Sequence, residues 1–398
     1  MRRPPLNVAA DRCFGTVISV WLVVLLQELR CVRGWLDTGH MLVAEIARTH
    51  LRPEEVKKID AILGTWSADF PGMSDLVGAA VWMDHIKCKR GTYPALCQGP
   101  LKNPALSAFD TWHYADLGYS PDGIIGADEH DIAALERAPS ALWALQQAVT
   151  TLRESENRWS LNLMLRSLIH IVGDLHQPLH DAEGFFNDKR FGDLPHGDHG
   201  GNLVRISDPK FKILPNLHIL WDAAAGLYLT EWPLSEEQAD LLRRNASDLV
   251  NMYGRPVMST HVGESCVTQG VDCLKLFADW AEESHQIAIT TAYGPGVSAG
   301  GEPTEEYTAR VREVCQRQIT VAGLRLAGLL SMVAEGLPTA MDLSATPSRD
   351  YPGVLVAVCA LQTAALLAIG AWVSAAVLRR RRARRASWAV DPLLDRAG

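Results

Sequence analysis

The sequence predicts a mainly α-helical protein, one helical domain followed by a C-terminal transmembrane helix, and three observations carry that reading. Leu161, Met164, Leu165, Leu168, Ile169 and Val172 recur at the spacing of a buried helical stripe. The same spacing runs through Leu142, Leu145, Val149 and Leu152, and through Ile319, Ala322, Leu326, Leu329, Leu330 and Val333. Strand-like alternation is scarce, and residues 353 to 378 contain no charged side chain, enough length to cross a bilayer as a helix.

The chain has 398 residues, 47% of them hydrophobic, and its two ends stand apart from the domain. Residues 1–34 begin with Arg2 and Arg3, run through an apolar stretch from Phe14 to Leu26, and end near the small residues Val32 and Gly34. That is the pattern of a cleaved secretory signal; the apolar run is short for the alternative, a membrane anchor. Residues 35–337 form the expected domain, and 338–352, with Pro338, Pro347 and Pro352, a stalk. The apolar helix at 353–378 is followed at once by Arg379 to Arg382, Arg384 and Arg385, in a basic tail of residues 379–398. Such a cluster stays cytoplasmic, which predicts a type I protein of the plasma membrane with its domain outside the cell. A lipid-anchor signal would end with its apolar tail, and this chain continues beyond it.

Charge divides the same way. The whole chain is −8; the first 34 residues hold five Arg and two acids, the last twenty hold seven Arg and two Asp, so residues 35–350 carry −16. A domain this acidic is a poor general nucleic-acid binder, because phosphate contacts are normally supplied by Lys and Arg. If the domain handles phosphates, metal ions must supply the positive charge. Of eight cysteines, Cys13 and Cys31 fall in the signal and Cys359 in the membrane segment. Cys88 with Cys97, and Cys266 with Cys273, are close enough to close small loops, and export makes disulfides the expectation. Cys315 is left over, either buried and free or available between chains. Asn245-Ala246-Ser247 is a glycosylation acceptor triplet.

The chemistry centres on His170 to His180, read as His-Ile-Val-Gly-Asp-Leu-His-Gln-Pro-Leu-His. His170 and Asp174 lie four apart and so leave one face of a helix, where imidazole and carboxylate can share a metal. Pro178 stops that helix, and His180 projects from a turn toward a different ion. One such pair is more often a satisfied core contact, but His218 and Asp222 repeat the spacing, and His40, Asp84 and His113 stand in compact motifs of their own. Ligands of this kind without thiolate suit zinc in open, catalytic sites. Residues 182–203, rich in Gly, Asp and aromatics, read as a long loop, with a short hairpin in it, between the ligand-bearing helices.

With these motifs assembled, the chain resembles the S1/P1 family of zinc-dependent nucleases, and within it the membrane-anchored trypanosomatid class I, or 3′-nucleotidase/nuclease, branch. Trp35 and Gly39-His40, then Trp82-Met83-Asp84, then Trp112-His113-Tyr114-Ala115-Asp116 match the family's motifs in order. His170 to His180, Gly200-Gly201-Asn202, His218 to Asp222 and the Ala-Gly-x-Arg-Leu-Ala run at 322–327 follow. Leu36-Asp37-Thr38 departs from the small residue that many members place after the tryptophan, and the 182–203 loop carries extra residues, among them His196 and His199.

The resemblance implies the helical fold shared with zinc phospholipase C and three zinc ions per chain. One would take Asp84, His113, His170 and Asp174; a second Trp35, His40 and the shared Asp174; a third His180, His218 and Asp222. Trp35 would bind through the free α-amine and carbonyl that signal cleavage creates. Asp116 would orient the nucleophile and Lys87 neutralise phosphoryl charge, or remain a solvated lysine; Tyr114 would stack a base, and Asn202 contact substrate. His85 and His176, beside ligands, are expected in supporting roles. The implied substrates are single-stranded RNA and DNA, cut to 5′-nucleotides, and 3′-nucleotides, for nucleotide or purine salvage; no protein partner is implied. A zinc phospholipase C, or a non-enzymatic surface protein with structural zinc, remain as alternatives.

Overall fold

The structure, a computed structural model, describes residues 35–87, 104–121, 139–208, 214–258 and 273–338, with residues 123, 131 and 210. The signal, Cys88, Cys97, Cys266, most of the stalk, the 353–378 helix and the basic tail lie outside them.

Helices dominate, and their ends obey local chemistry. Helix α1, Asp37–His50, is followed by α2, Pro53–Leu63, whose first position is proline, where the missing N–H costs nothing. Two short helices, α3 at Leu76–Ala79 and α4 at Trp82–His85, lead to a 3-10 segment, Pro104–His113. Helix α5, Ala141–Glu154, starts where the Ser140 hydroxyl accepts from Trp143 N–H, and α6, Arg158–Asp174, where Asn157 accepts from Trp159 and Ser160 N–H. A 3-10 turn at Pro178–His180 follows, then α7 at Leu217–Asp222, capped by the Asn216 side chain. The long helices α8, Glu236–Met258, α9, Leu274–Ile287, and α10, Glu305–Gly336, complete the set.

The predicted stripes at 142–152, 161–172 and 319–333 coincide with α5, α6 and α10. Leu161, Leu165, Leu168, Ile169, Ile171 and Val172 of α6 are buried; each such side chain stabilises the fold by about 1.5–3 kcal/mol. Helix α10 packs most extensively on α1, and α5 on α6. At the first crossing a Cβ on Gly323 would come within 2.6 Å of Ile46 Cβ, so the glycine of the 322–327 run is required by close approach. Helix α10 is long and apolar enough to span a membrane, but more than half of its apolar stretch is buried in the domain, which marks it as a core helix.

Strands are few among the described residues. Gly118–Tyr119 (β1) pairs in parallel with Glu183–Gly184 (β2), and Phe186–Asp188 (β3) pairs antiparallel with Gly192–Leu194 (β4). The hairpin expected in the 182–203 loop is therefore present. Cys315 is buried and free, with its thiol 3.6 Å from the Trp221 carbonyl oxygen, which decides against a role between chains. Cys273 is disulfide-bonded and buried at the head of α9. Asn245 lies in the middle of α8, half-buried, not in a loop.

One buried charge is set against the fold. Asp60 on α2 accepts from Leu76 N–H at 3.0 Å, yet burial, with Asp75 adding to it, pushes its carboxyl up to about 6. A carboxyl whose folded value lies above its unfolded value of 3.8 stabilises the fold at low pH. That contribution disappears as pH rises through the folded value. Asp60→Asn, which keeps the acceptor oxygen and removes the charge, is expected to raise the free energy of unfolding at pH 7.5 by about 1 kcal/mol, the full shift discounted for partial exposure, and the melting temperature with it. At pH 4 the gain should vanish; equal gains at both pH values would contradict the charge argument.

Candidate metal centre

Three helices and one 3-10 segment converge on one group of buried side chains. His40 comes from α1, Asp84 from α4, His113 from the end of the Pro104–His113 segment, and His170 with Asp174 from one face of α6. The Asp174 carboxylate is the common point. Its Oδ1 lies 3.2 Å from His40 Nε2, and its Oδ2 lies 2.9 Å from His113 Nδ1 and 3.2 Å from His170 Nε2. Asp84 stands 3.9–4.0 Å from the same three imidazoles. His40 and His170 stack at 3.9 Å between ring centroids, and a Cβ on Gly173 would meet His40 Nδ1 at 2.9 Å, so only glycine lets the ring lie against the helix. A second group forms from His180 of the turn and His218 and Asp222 of α7; His218 Nε2 is 3.5 Å from Asp222 Oδ2, and the two rings are 5.0 Å apart.

The surroundings orient these rings for ligation. A carbonyl can only accept, so Nδ1–H of His170 donates to Ala80 at 2.6 Å, that of His218 to Gly200 at 2.6 Å, and that of His180 to His113. The Nε2 lone pairs are thereby left facing the cluster, as supporting carbonyls do around metal-bound histidine. Gln177 donates through Nε2 to Asp222 at 2.6 Å while its Oε1 accepts from Leu179 N–H. Across the turn from Asp174 to His180, Ser284 donates to the Leu175 carbonyl, His285 to that of Asp181 and Gln318 to that of His176. Arg325, from the 322–327 run, donates to His176 Nε2 at 2.9 Å and to Glu283 at 2.6 Å.

Whether a cation fits is answered by the groups left over. Both ring nitrogens of His40, Nε2 of His113 and Oδ1 of Asp174 are buried without a hydrogen-bond partner of acceptable geometry among the described residues. Leaving such groups unmet costs about 1–3 kcal/mol each. Three sets of donor atoms lie close enough to hold an ion: His40, Asp84 and His170; His113, His170 and Asp174; and His180, His218 and Asp222. The residues present therefore fit metal ions, and their imidazole and carboxylate chemistry fits zinc.

Electrostatics favours ionised Asp84 and Asp174 and, through burial, neutral rings for His40 and His113, whereas at His170 burial is outweighed by Asp174 with Asp84 and the ring is raised. Burial alone would raise the Asp84 carboxyl, but Lys87, then His170, His113 and His40, together hold it well below its ordinary range. Asp174 is treated alike by His170 and His180. Burial and then Lys87 lower His113 to about 3, so its ring is neutral at physiological pH. Lys87 is not the solvated lysine: its side chain is 6% exposed and its Nζ lies 2.9 Å from Asp84 Oδ1.

The remaining predicted site residues fall in different places. Tyr114 and Asp116 are half-buried beside His113, with Asp116 at φ 50°, in the left-handed region, and its N–H donating to the His180 carbonyl at 3.2 Å. Desolvation, then Glu183 and Asp198, push the Asp116 carboxyl well above its ordinary range. Asn202 is buried, its Nδ2 donating to the His199 carbonyl at 2.8 Å and its Oδ1 lying 3.5 Å from Asn216 Nδ2, so its amide braces the cap of the helix that bears His218. Trp35 is fully buried; its indole N–H donates to the Gly173 carbonyl at 2.9 Å, and Leu36 N–H donates to Asp222. His85 and His176 are outside the three ligand sets and hydrogen-bond to Asp37 and Arg325. The sequence reading missed Gln177, Arg325 and Asp198 as supporting groups; Gln177 and Arg325, each inside a quoted motif, offered a signal, and Asp198 did not.

Two acids shared among three imidazoles, with a separate His-His-Asp group, define a helical hydrolase scaffold suited to several metal ions. The family model described as S1/P1 Nuclease matches residues 35–335, and the chain belongs to that family. Among curated relatives, Endonuclease 3 of Arabidopsis thaliana is 26% identical over 80% of this chain and 96% of its own length. Nuclease S1 of Aspergillus oryzae is 26% identical over 76% of this chain and 92% of its own, and Nuclease P1 of Penicillium citrinum 22% over 75% and 97%. Membership makes the chain a hydrolase of nucleic acids.

Proposed function

We propose that the chain is a zinc-dependent, cell-surface nuclease and 3′-nucleotidase that cuts single-stranded RNA and DNA to 5′-phosphorylated products and removes the phosphate of 3′-nucleotides, in support of nucleotide salvage. The observation that carries the reading is the Asp174 carboxylate, whose two oxygens face His40 on one side and His113 with His170 on the other. That is the arrangement of a carboxylate shared by two cations. Asp84, His113, His170 and Asp174 would hold one zinc, Trp35, His40 and Asp174 a second, and His180, His218 and Asp222 a third. Zinc at these positions supplies positive charge for the phosphoryl group and lowers the pKa of water from 15.7 to about 7.

The chain's own residues do the rest. Lys87 keeps the Asp84 carboxylate ionised from 2.9 Å away, and the carbonyls of Ala80, Gly200 and His113 fix the imidazole tautomers. Asp116, at the edge of the cluster, orients the attacking water. Tyr114, half-exposed beside His113, offers a face to an unpaired base, which duplex DNA cannot present. Export through residues 1–34 and anchorage through 353–378 complete the proposal.

The test is metal analysis together with three substrates. Close to three zinc ions per chain are expected, with chelators abolishing hydrolysis of a 3′-nucleotide and of single-stranded RNA while duplex DNA resists. One ion or none would sink the proposed cluster, and cleavage of phosphatidylcholine without action on nucleotides would replace the reading with that of a phospholipase.

A further inference from the structure

Asp37 opens α1 three residues before His40, and its side chain is 9% exposed. One oxygen, Oδ2, takes two hydrogen bonds from distant segments: His85 Nε2 lies at 3.0 Å and Trp232 N at 2.8 Å. The main-chain N–H of Trp232 is a fixed donor, so Asp37 must accept there. Beside a carboxylate, His85 must donate through Nε2 as well. His85 immediately follows Asp84, is 5% exposed, and sets its ring edge-on to the Trp232 indole at 5.6 Å. A first-turn acid is common because it faces the positive end of the helix dipole. That role needs neither burial nor two donors from elsewhere in the chain.

One oxygen thus joins the segment that carries His40, the segment that carries Asp84 and the loop beyond α7. His40 Nε2 and Asp84 Oδ2 stand 4.0 Å apart at the other end of the same two segments. We infer that Asp37 is a positioning residue of the metal centre, which sets the approach of His40 to Asp84 through His85. This rests on the reading that the cluster holds zinc. Thr38 provides an internal comparison, because its hydroxyl donates to the Thr230 carbonyl and so anchors the same helix start without reaching Asp84.

The experiment uses the full chain in detergent and measures zinc retained during dialysis against rising concentrations of a chelator, alongside the melting temperature. Asp37→Ala is expected to release part of its zinc at roughly 10–100-fold lower chelator concentration, the range for lost groups that orient ligands. Asp37→Asn, whose amide oxygen can still accept both hydrogen bonds, should retain most of it. Thr38→Val should keep the full complement even where it lowers the melting temperature as much. Should Asp37→Ala not fold, His85→Ala must show early release in its place. Wild-type retention in Asp37→Ala, or in His85→Ala where that substitutes for it, or equal early release from Thr38→Val, overturns the inference while leaving the zinc reading intact. A wild-type chain without zinc overturns both.

Discussion

Asp174→Ala is expected to cost more activity than the alanine replacement of any other single ligand. Three imidazoles lie within 3.2 Å of that one carboxylate, on both of its oxygens, whereas Asp222 serves only the group with His180 and His218. Removing it deprives two proposed cations of a ligand at once. It also leaves the buried rings of His40, His113 and His170 with Asp84, 3.9–4.0 Å away, as the one carboxylate of their group. Loss of kcat/KM should exceed the roughly 10–100-fold that orienting groups command, and zinc content should fall by more than one ion per chain. Asp222→Ala should lose about one ion and keep the rest. The comparison is made by metal analysis and turnover on a 3′-nucleotide for both variants; equal losses would contradict the shared role of Asp174.

What could be read from the sequence, and what could not, follows from how far each signal reaches along the chain. The pairs His170 with Asp174 and His218 with Asp222 were legible because helical geometry alone puts residues four apart on one face. The break before His180 was legible because Pro178 cannot continue a helix. Helices α8 and α9 were not anticipated. In α8 little more than Leu242, Ala246 and Leu249 are buried, a stripe too narrow to stand out among its charges. In α9 the buried face includes Ser284 and His285, whose polar groups serve the carbonyls of Leu175 and Asp181 and interrupt the apolar pattern.

The same reasoning separates ligands from their supports. Lys87 lies three residues from Asp84 and was within reach of local reading, but its burial depends on what packs over it. Asp37, Asn202 and Arg325 act on partners 48, 14 and 149 residues away, and no local pattern encodes those meetings. Asn202 shows the consequence: its motif implied contact with substrate, and only the fold reveals that its amide also meets His199 and Asn216.

The last expected result concerns the first residue of the domain. Trp35 has its indole bound to the carbonyl of Gly173, next to Asp174, and the adjacent Leu36 N–H bound to the carbonyl of Asp222. The backbone of Trp35 is therefore held alongside residues of both proposed ligand groups by contacts that do not involve its main-chain nitrogen. If cleavage of residues 1–34 frees that nitrogen, the amine and the Trp35 carbonyl can close a five-membered chelate. Its reference pKa of about 7.7–8.0 lets zinc displace the proton near neutrality. A protein beginning Met-Trp35, with the methionine retained, presents an amide nitrogen instead, a very weak ligand that also blocks the ring. It should fold with the indole in place, keep the zinc held by side chains alone, and lose most of its turnover relative to the protein that begins at Trp35. The check is paired turnover and zinc measurements on the two forms, with melting temperatures to confirm equal folding; equal activity would remove the N-terminus from the metal centre while leaving the side-chain ligands untouched.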